Sequence, residues 1–419
     1  MTPERFRGKK ICLVTNGHLS SNPRIVKEAD ALAEAGAETQ VVGLQVLPEL
    51  QRFDLDLARD KRWRYRAIDV SRGAGPWNYR ARAAREHALR LLPPSLWRVP
   101  EVIEGAFSRF TGVLGAALAH DPADMYIAHN LAALPAAAAA AGRFGARLGF
   151  DAEDYHAGEL PDAPENQIAR QRVLAIEDRY LPMCQHLTAA SPGIAELYAR
   201  RYARPVATIL NVFSLAERPP VATAPSSGTS PVLYWFSQTI GPGRGLEQML
   251  GIVGRMRTRP VLQLRGTWAA GFRDRLAVVA EREGVSAQLR FLDRAAPDEM
   301  VSLAAGHSLG LAIEIGDILN RTICLSNKIF TYLLAGVPVV LSDTSAHRRL
   351  AVELGEAARI IDLDRIAEAA EALDAWLLSG DRLARSRAAA WDLGQHRFNW
   401  DNEKEIFLAS VATALESSG

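Results

Sequence analysis

Apolar and polar positions along the chain fall into short runs that repeat one cycle. The run "KKICLVTNG" is apolar and β-rich and ends at Asn16-Gly17. After a loop, "NPRIVKEADALAEAGAETQVVGL" puts Ile25, Ala29, Leu32 and Ala33 on one helical face, stops at Gly36 and enters the strand-like "TQVVGL". Apolar residues three and four apart mark a helix, and compact apolar runs bounded by turn residues mark buried strands. The pattern therefore predicts a βαβ unit. "ADMYIAHNLAALPAAAAAAGRFGARLGFDAED" repeats it, with a strand ending at His129, an alanine-rich helix and a strand in "RLGFDAE". In "HLTAASPGIAELYARRYARPVATILN", Ser191-Pro192 opens a further helix, because proline is tolerated in a first turn. Strands alternating with helices predict an α/β fold with a parallel, doubly wound sheet.

Between Phe213 and Val232 the text becomes "SLAERPPVATAPSSGTSP", without apolar periodicity, and reads as a linker. The alternation then restarts with "VLYWFS", "PVLQLRG", "LRFLD", "LGLAIEI" and "VPVVLS". Two α/β domains are expected, over 1–220 and 221–397, with a cleft between them as the default ligand site. The tail 398–419 reads as an amphipathic helix with Ile406, Phe407, Val411 and Leu415 on one side. One stretch departs from the cycle. Residues 59–99 carry many arginines and three tryptophans, which fits a peripheral membrane patch, an anionic acceptor site, or a solvated helix face anchored by its aromatics.

Composition narrows the functional classes. With 419 residues, 48% hydrophobic and 23% charged, the chain can bury two cores. Its net charge of +1 gives no global attraction to nucleic acid, and no nucleic-acid motif accompanies the local basic stretch. Cys12, Cys184 and Cys324 lack the spacing of a disulfide framework or a zinc site, so reduced thiols are expected. The first residues, "MTPERFRGKKICLVTN", hold no long apolar stretch, and nowhere do eighteen apolar residues run together. Neither export nor a membrane span is expected, which leaves a cytoplasmic protein, free or at the inner face of a membrane.

Ligands of open parallel sheets bind beyond the carboxyl ends of the strands, where helix N-termini present free amides. In the first half those ends carry Asn16, Gly17 and His18, then His129 and Asn130, then Asp151, Glu153, Asp154 and His156. The segment "FDAEDYHAGE" could ligate a divalent ion or supply acid and base groups; it lines an acceptor side or caps the next helix. In the second half they carry Ser237 to Gly245, Arg265, Glu314 to Arg321, and Ser326 to Lys328. In "WFSQTIGPGRGLEQML" a strand runs into three glycines, which lets backbone approach a ligand, and Arg244 arrives to fork onto a phosphate. There is no GxxxxGK[ST] and no GxGxxG after the first strand, so a P-loop and a nicotinamide site are disfavoured. No GxSxG occurs, and no cysteine stands near a histidine at a strand-to-helix turn. Asp54-Leu55-Asp56 and Asp362-Leu363-Asp364 spell DxD, but neither reads as the end of a core strand, and no metal is expected.

Taken together, "SSNPRIVKEADALAEAG", "DMYIAHNLAALPAA", "SPGIAELYARRY", "GPGRGLEQML" and "NKIFTYLLAGVPVV" resemble the retaining group 1 glycosyltransferases of the GT-B fold. The resemblance covers nearly the whole length. It implies two Rossmann-like domains facing a cleft, a last helix crossing back to the first domain, and transfer of a sugar from a nucleoside-diphosphate sugar with retention. The acceptor would be a glycan, a lipid-linked or a small molecule. No cofactor beyond the donor is implied, and the leaving phosphate would accept the proton.

Residue by residue, the resemblance makes His129 and Arg244 the catalytic candidates. It puts Gly17, Gly243, Arg244 and the amides of Ser326, Asn327 and Lys328 at the donor diphosphate. Gln238, Arg265, Glu314, Asp317 and Thr331 become sugar or nucleotide contacts, and His18, Asp151, Glu153, Asp154 and His156 line the acceptor side. The chain also departs from the family. Gln238 stands where a second arginine is usual, and the two glutamates eight residues apart fall on Ile323 and Thr331. Those departures keep two other readings open: a binding or assembly subunit without catalysis, and a nucleotide-sugar epimerase.

Overall fold

The computed structural model describes residues 5–223 and 230–417. The stretch 224–229, in the middle of the expected linker, lies outside them. Two compact units are resolved, Met1–Ile209 with Lys404–Gly419, and Leu210–Glu403.

In the first unit, β1 (Lys10–Thr15), β2 (Glu38–Gln45), β3 (Arg64–Asp69), β4 (Met125–His129), β5 (Arg147–Ala152), β6 (His186–Ala189) and β7 (Ala207–Thr208) form one sheet. Its order is β3-β2-β1-β4-β5-β6-β7, and every pairing is parallel. The central strands are buried nearly throughout, which is why they read as continuous apolar runs rather than as alternating ones. The departure seen over 59–99 is partly corrected, since "RYRAID" is the edge strand β3. Its alternation of charge with Tyr65, Ala67 and Ile68 is the signature of an edge only partly covered.

In the second unit, β8 (Val232–Ile240), β9 (Val261–Trp268), β10 (Leu289–Leu292), β11 (Leu309–Ala312), β12 (Val339–Ser342) and β13 (Ala358–Ile361) are also parallel, in the order β10-β9-β8-β11-β12-β13. Leu233, Trp235, Leu250, Leu262, Leu311 and Trp376 belong to its core. β13 was not anticipated, and it places Asp362-Leu363-Asp364 directly after a strand. There Asp362 accepts a hydrogen bond from the Asp364 amide at 2.9 Å, an aspartate turn.

The Asn327–Leu334 helix is positioned by a close approach to β11. A Cβ on Gly310 would lie 2.3 Å from the Tyr332 ring, so only glycine lets that ring rest on the strand. The Tyr332 hydroxyl then reaches the carbonyls of Tyr234 at 2.9 Å and Leu311 at 3.2 Å. Ile329, Phe330, Leu333 and Leu334 are buried, and so are Lys328, Thr331 and Tyr332: past the exposed Asn327 the helix is enclosed. The last helix, Trp400–Glu416, buries Phe407 and Val411, with Phe407 edge-on to the His186 ring of β6 at 5.8 Å.

Candidate functional site

The second unit gathers a charged cluster at the carboxyl ends of β8 and β11. Arg244, at the end of the glycine turn, places Nη1 3.1 and 3.3 Å from the two carboxylate oxygens of Glu314. Lys328, in the first turn of the Asn327–Leu334 helix, places Nζ 3.4 Å from Glu314 Oε1 and 5.5 Å from the centre of the Trp235 ring. The Glu314 amide donates to Ser342 Oγ at 2.8 Å, which fixes the carboxylate's stem. Glu314 and Lys328 are buried, whereas the Arg244 side chain is 36% exposed. Burial would raise Glu314, but Lys328 and Arg244 outweigh it and hold the carboxyl below its ordinary range. Burial pulls Lys328 down from its ordinary value, against the opposing attraction of Glu314. Two cations share one anion, so the cluster keeps a positive charge, and Arg244 is the member that can offer its free N–H groups to a ligand.

Beside Lys328, Ser326 caps the helix in extended geometry but its side chain makes no capping bond. Its Oγ is buried without a hydrogen-bond partner among the described residues. The first turn carries no acid. Unsatisfied amides, an unpartnered hydroxyl and the positive end of the helix together suit an anion with several oxygens; the dipole adds roughly 0.3–1 kcal/mol at an exposed site. Gly243 sits in the left-handed region at φ 75°, and a Cβ there would lie 2.7 Å from Arg321 Nη1. Arg321 therefore lies over the glycine turn, where Asp317 holds it at 2.8 Å. It is a third cation at the turn.

The remaining expected donor contacts do not converge. Gln238 is exposed on the far part of β8. Arg265 donates to the Tyr234 hydroxyl and to the Asp293 carbonyl, both at 2.9 Å, in a separate cluster where His307 stacks on Tyr234. Thr331 is fully buried, and its hydroxyl donates to the Asn327 carbonyl of its own helix at 3.0 Å.

In the first unit the sheet register builds a second cluster. Thr15 pairs with His129, His129 with Asp151, and Asp151 with Thr188, so one row across four strands points one way. Over that row the Pro23–Glu34 helix lays Arg24 and Glu28, one turn apart and both buried. Arg24 Nε and Nη2 clasp the two Asp151 oxygens at 2.5 and 2.7 Å, and Nη1 reaches the Ile209 carbonyl at 2.7 Å. His129 is fully buried, with Nε2 3.0 Å from Glu28 and Nδ1 3.5 Å from Asp151. Burial disfavours its charged form, but Glu28, Glu153 and Asp151 prevail and lift it to about 10. The carboxylates thus favour its charged form, while neither ring nitrogen makes a hydrogen bond of good geometry among the described residues. Burial, reinforced by Asp151, raises Glu28. Glu28, His129 and Asp151 also offer atoms within metal-binding reach of one another. The Arg24 guanidinium, 3.4 Å from Glu28 and 2.5 Å from Asp151, already supplies the positive charge a cation would bring.

The other expected acceptor-side residues divide by exposure. His18 is buried: Nδ1 meets Asp54 at 2.7 Å, and Nε2 accepts from the Val46 and Leu47 amides at 2.9 and 2.8 Å. That arrangement assigns the proton to Nδ1. Asp54 of the first DxD triplet is thus a helix residue tying down a loop. His156 pairs with Glu159 at 2.7 Å. Glu153 and Asp154 keep part of their surface open, as does Gly17, which was expected at the donor diphosphate, and Glu153 accepts from Asn22 Nδ2 at 2.8 Å.

Arg24 and Glu28 escaped the sequence reading. The Arg24–Glu28 spacing was a signal, since opposite charges four apart share a helix face. Arg321 stood among the expected strand-end residues, but only folding brings its side chain over Gly243.

No family model and no curated protein matches the chain. Solved structures do. HepE of Anabaena in complex with UDP aligns with a TM-score of 0.65 at 15% identity, over 96% of this chain and 99% of that one. A glycosyltransferase from Rickettsia africae gives 0.69 at 11%, covering 98% and 100%. Sucrose-phosphate synthase from Thermosynechococcus elongatus gives 0.68 at 15%, covering 95% and 96%. The fold is GT-B. In this GT-B chain, two all-parallel sheets of seven and six strands carry the two clusters at their carboxyl ends.

Proposed function

We propose that the chain is a glycosyltransferase that moves a sugar from a nucleoside-diphosphate sugar to a hydroxyl of a glycan, lipid-linked or small-molecule acceptor, with retention of configuration. The observation that carries this reading is the Arg244–Glu314–Lys328 cluster beside the unpartnered Ser326 hydroxyl. HepE, solved with UDP and with UDP-glucose, supports the same donor class. On this reading, Arg244 and the helix amides hold the diphosphate. Charge grows on the leaving phosphate as the glycosidic bond lengthens, so contacts poised there lower the barrier more than they tighten the ground state. Retention fits the burial of His129, which has no exposed surface from which to act as a base on an acceptor, and on this reading a phosphate oxygen of the leaving group takes the acceptor's proton instead. Acceptor handling is assigned to the first unit, at Glu153 and Asp154.

A second reading, a binding subunit without turnover, draws on one observation: Thr331 and Ile323 offer no carboxylate. A panel of nucleotide sugars tests both. A ligand at a hundred times its Kd stabilises the native state by about 2.7 kcal/mol, enough to raise the melting temperature measurably. Stabilisation with release of nucleoside diphosphate supports the enzyme, and stabilisation without release across acceptors favours the second reading. If no nucleoside diphosphate stabilises the chain, both are wrong.

A further inference from the structure

The Pro76–Arg90 helix has an outward face that no part of its unit covers. At about 100° per residue, Trp77, Ala81, Ala84, Ala88 and the following Leu91 share an arc of about 80°, and all five are exposed. Trp77 is 78% exposed and Leu91 73%. Arg80 and Arg85, also exposed, flank this apolar stripe on either side. The Arg80 guanidinium lies 5.7 Å from the centre of the Trp77 ring. Glu86, the one acid in the helix, points the other way; it is buried and held by Arg90 at 2.5 Å and Arg109 at 2.7 Å. The helix itself therefore puts positive charge and no acid on this face, with Arg85 at its edge reaching toward Gly105 and Glu104 of the neighbouring Pro100–Phe107 helix. The short turn Pro94–Arg98 extends it with Leu96 and Arg98, and Glu101 is the nearest exposed acid in sequence.

We propose that this face docks in the plane of an anionic phospholipid surface. Trp77 and Leu91 enter the boundary between headgroups and acyl chains, where an amphipathic ring is favoured. Arg80 and Arg85 fork onto lipid phosphates, a geometry that a planar guanidinium matches and a lysine does not. Charge complementarity selects this occupant. The stripe is long, shallow and lined by alanines, which suits a fluid surface better than the deep pocket a protein anchor needs. No helix of the described residues is long and apolar enough to cross a membrane, so attachment is at the surface. Donor binding belongs to the other unit, and this inference does not depend on it.

Sedimentation of the full chain with vesicles tests the proposal. Vesicles of phosphatidylcholine mixed with phosphatidylglycerol should carry the chain down, and phosphatidylcholine alone should not. Added salt should release it, because exposed charges are screened within about 8 Å at physiological ionic strength. The charge-reversed R80E/R85E should lose binding by about tenfold or more, and W77A should lose part of it. Both side chains are exposed, so an unchanged thermal transition would show that the fold survives. Binding of R80E/R85E equal to that of the unaltered chain overturns the proposal. So does failure of the unaltered chain to sediment with the mixed vesicles, which would leave the face to an acidic protein.

Discussion

Arg244 and Glu314, seventy residues apart, meet through one guanidinium nitrogen 3.1 and 3.3 Å from the two carboxylate oxygens. The pairing holds Arg244 at the mouth of the glycine turn while Lys328 neutralises the same carboxylate from behind. Arg244→Ala should remove the exposed cation without opening the core. A charge-assisted hydrogen bond contributes about 1.5–3 kcal/mol, so affinity for UDP should fall by about ten- to a hundredfold. Calorimetry measures it, and unchanged affinity would refute the phosphate assignment.

Glu314→Ala acts differently, because it strands Lys328 in the interior. Removing one partner of a buried pair costs about 3 kcal/mol or more, which lowers the transition of a domain this size by roughly 5–10 °C. Differential scanning calorimetry should resolve the loss. A drop under a degree or so would mean that Lys328 finds another partner or sheds its proton at little cost.

His129 gives the first unit a pH dependence with a definite sign. Its folded value, about 10, lies above the ordinary 6.5. The stability it contributes is complete below about 6.5 and is lost as pH rises through the folded value. Between those limits the native state holds a proton that the unfolded chain does not, so stability should fall by about 1.4 kcal/mol per pH unit. Asp151, held low by Arg24 and His129 against its burial, titrates far below this window. Denaturant unfolding across it should show a steep slope in the unaltered chain and a shallower one in His129→Gln; equal slopes would exclude the imidazolium.

Gly243→Ala should disturb the turn twice. A non-glycine residue in the left-handed region costs about 1–2 kcal/mol, and the new methyl would displace Arg321 from its place over the turn. UDP affinity should drop several-fold, and Arg321→Ala, which leaves the backbone alone, should reproduce most of that drop. An unaltered affinity in Arg321→Ala would leave Arg321 as a partner of Asp317 only.

Local patterning alone was enough to read much of this molecule. The βαβ cycle, the strand end at His129 and the Ser191-Pro192 helix start all follow from periodicity and turn chemistry, which act over a few residues. The resemblance alone puts Arg244 and Ser326 to Lys328 at one site. β3 was missed because an edge strand carries charge, and β13 because a four-residue strand has too little periodicity to register.

What tertiary structure alone decided is the company each charged group keeps. Whether His129 is a base or a fixed imidazolium depends on Glu28 arriving from a helix a hundred residues away. Whether Arg321 belongs to the glycine turn depends on a side chain folding over a backbone that has no Cβ. Thr331 reads as a ribose contact by its place in a motif, yet its hydroxyl turns back to the Asn327 carbonyl in a helix buried from Lys328 onward. The sequence by itself determined the elements and their order, because propensity and hydrophobic period are local. Protonation states and ion-pair partners were left to the fold, because they depend on distance and burial between residues far apart in the chain.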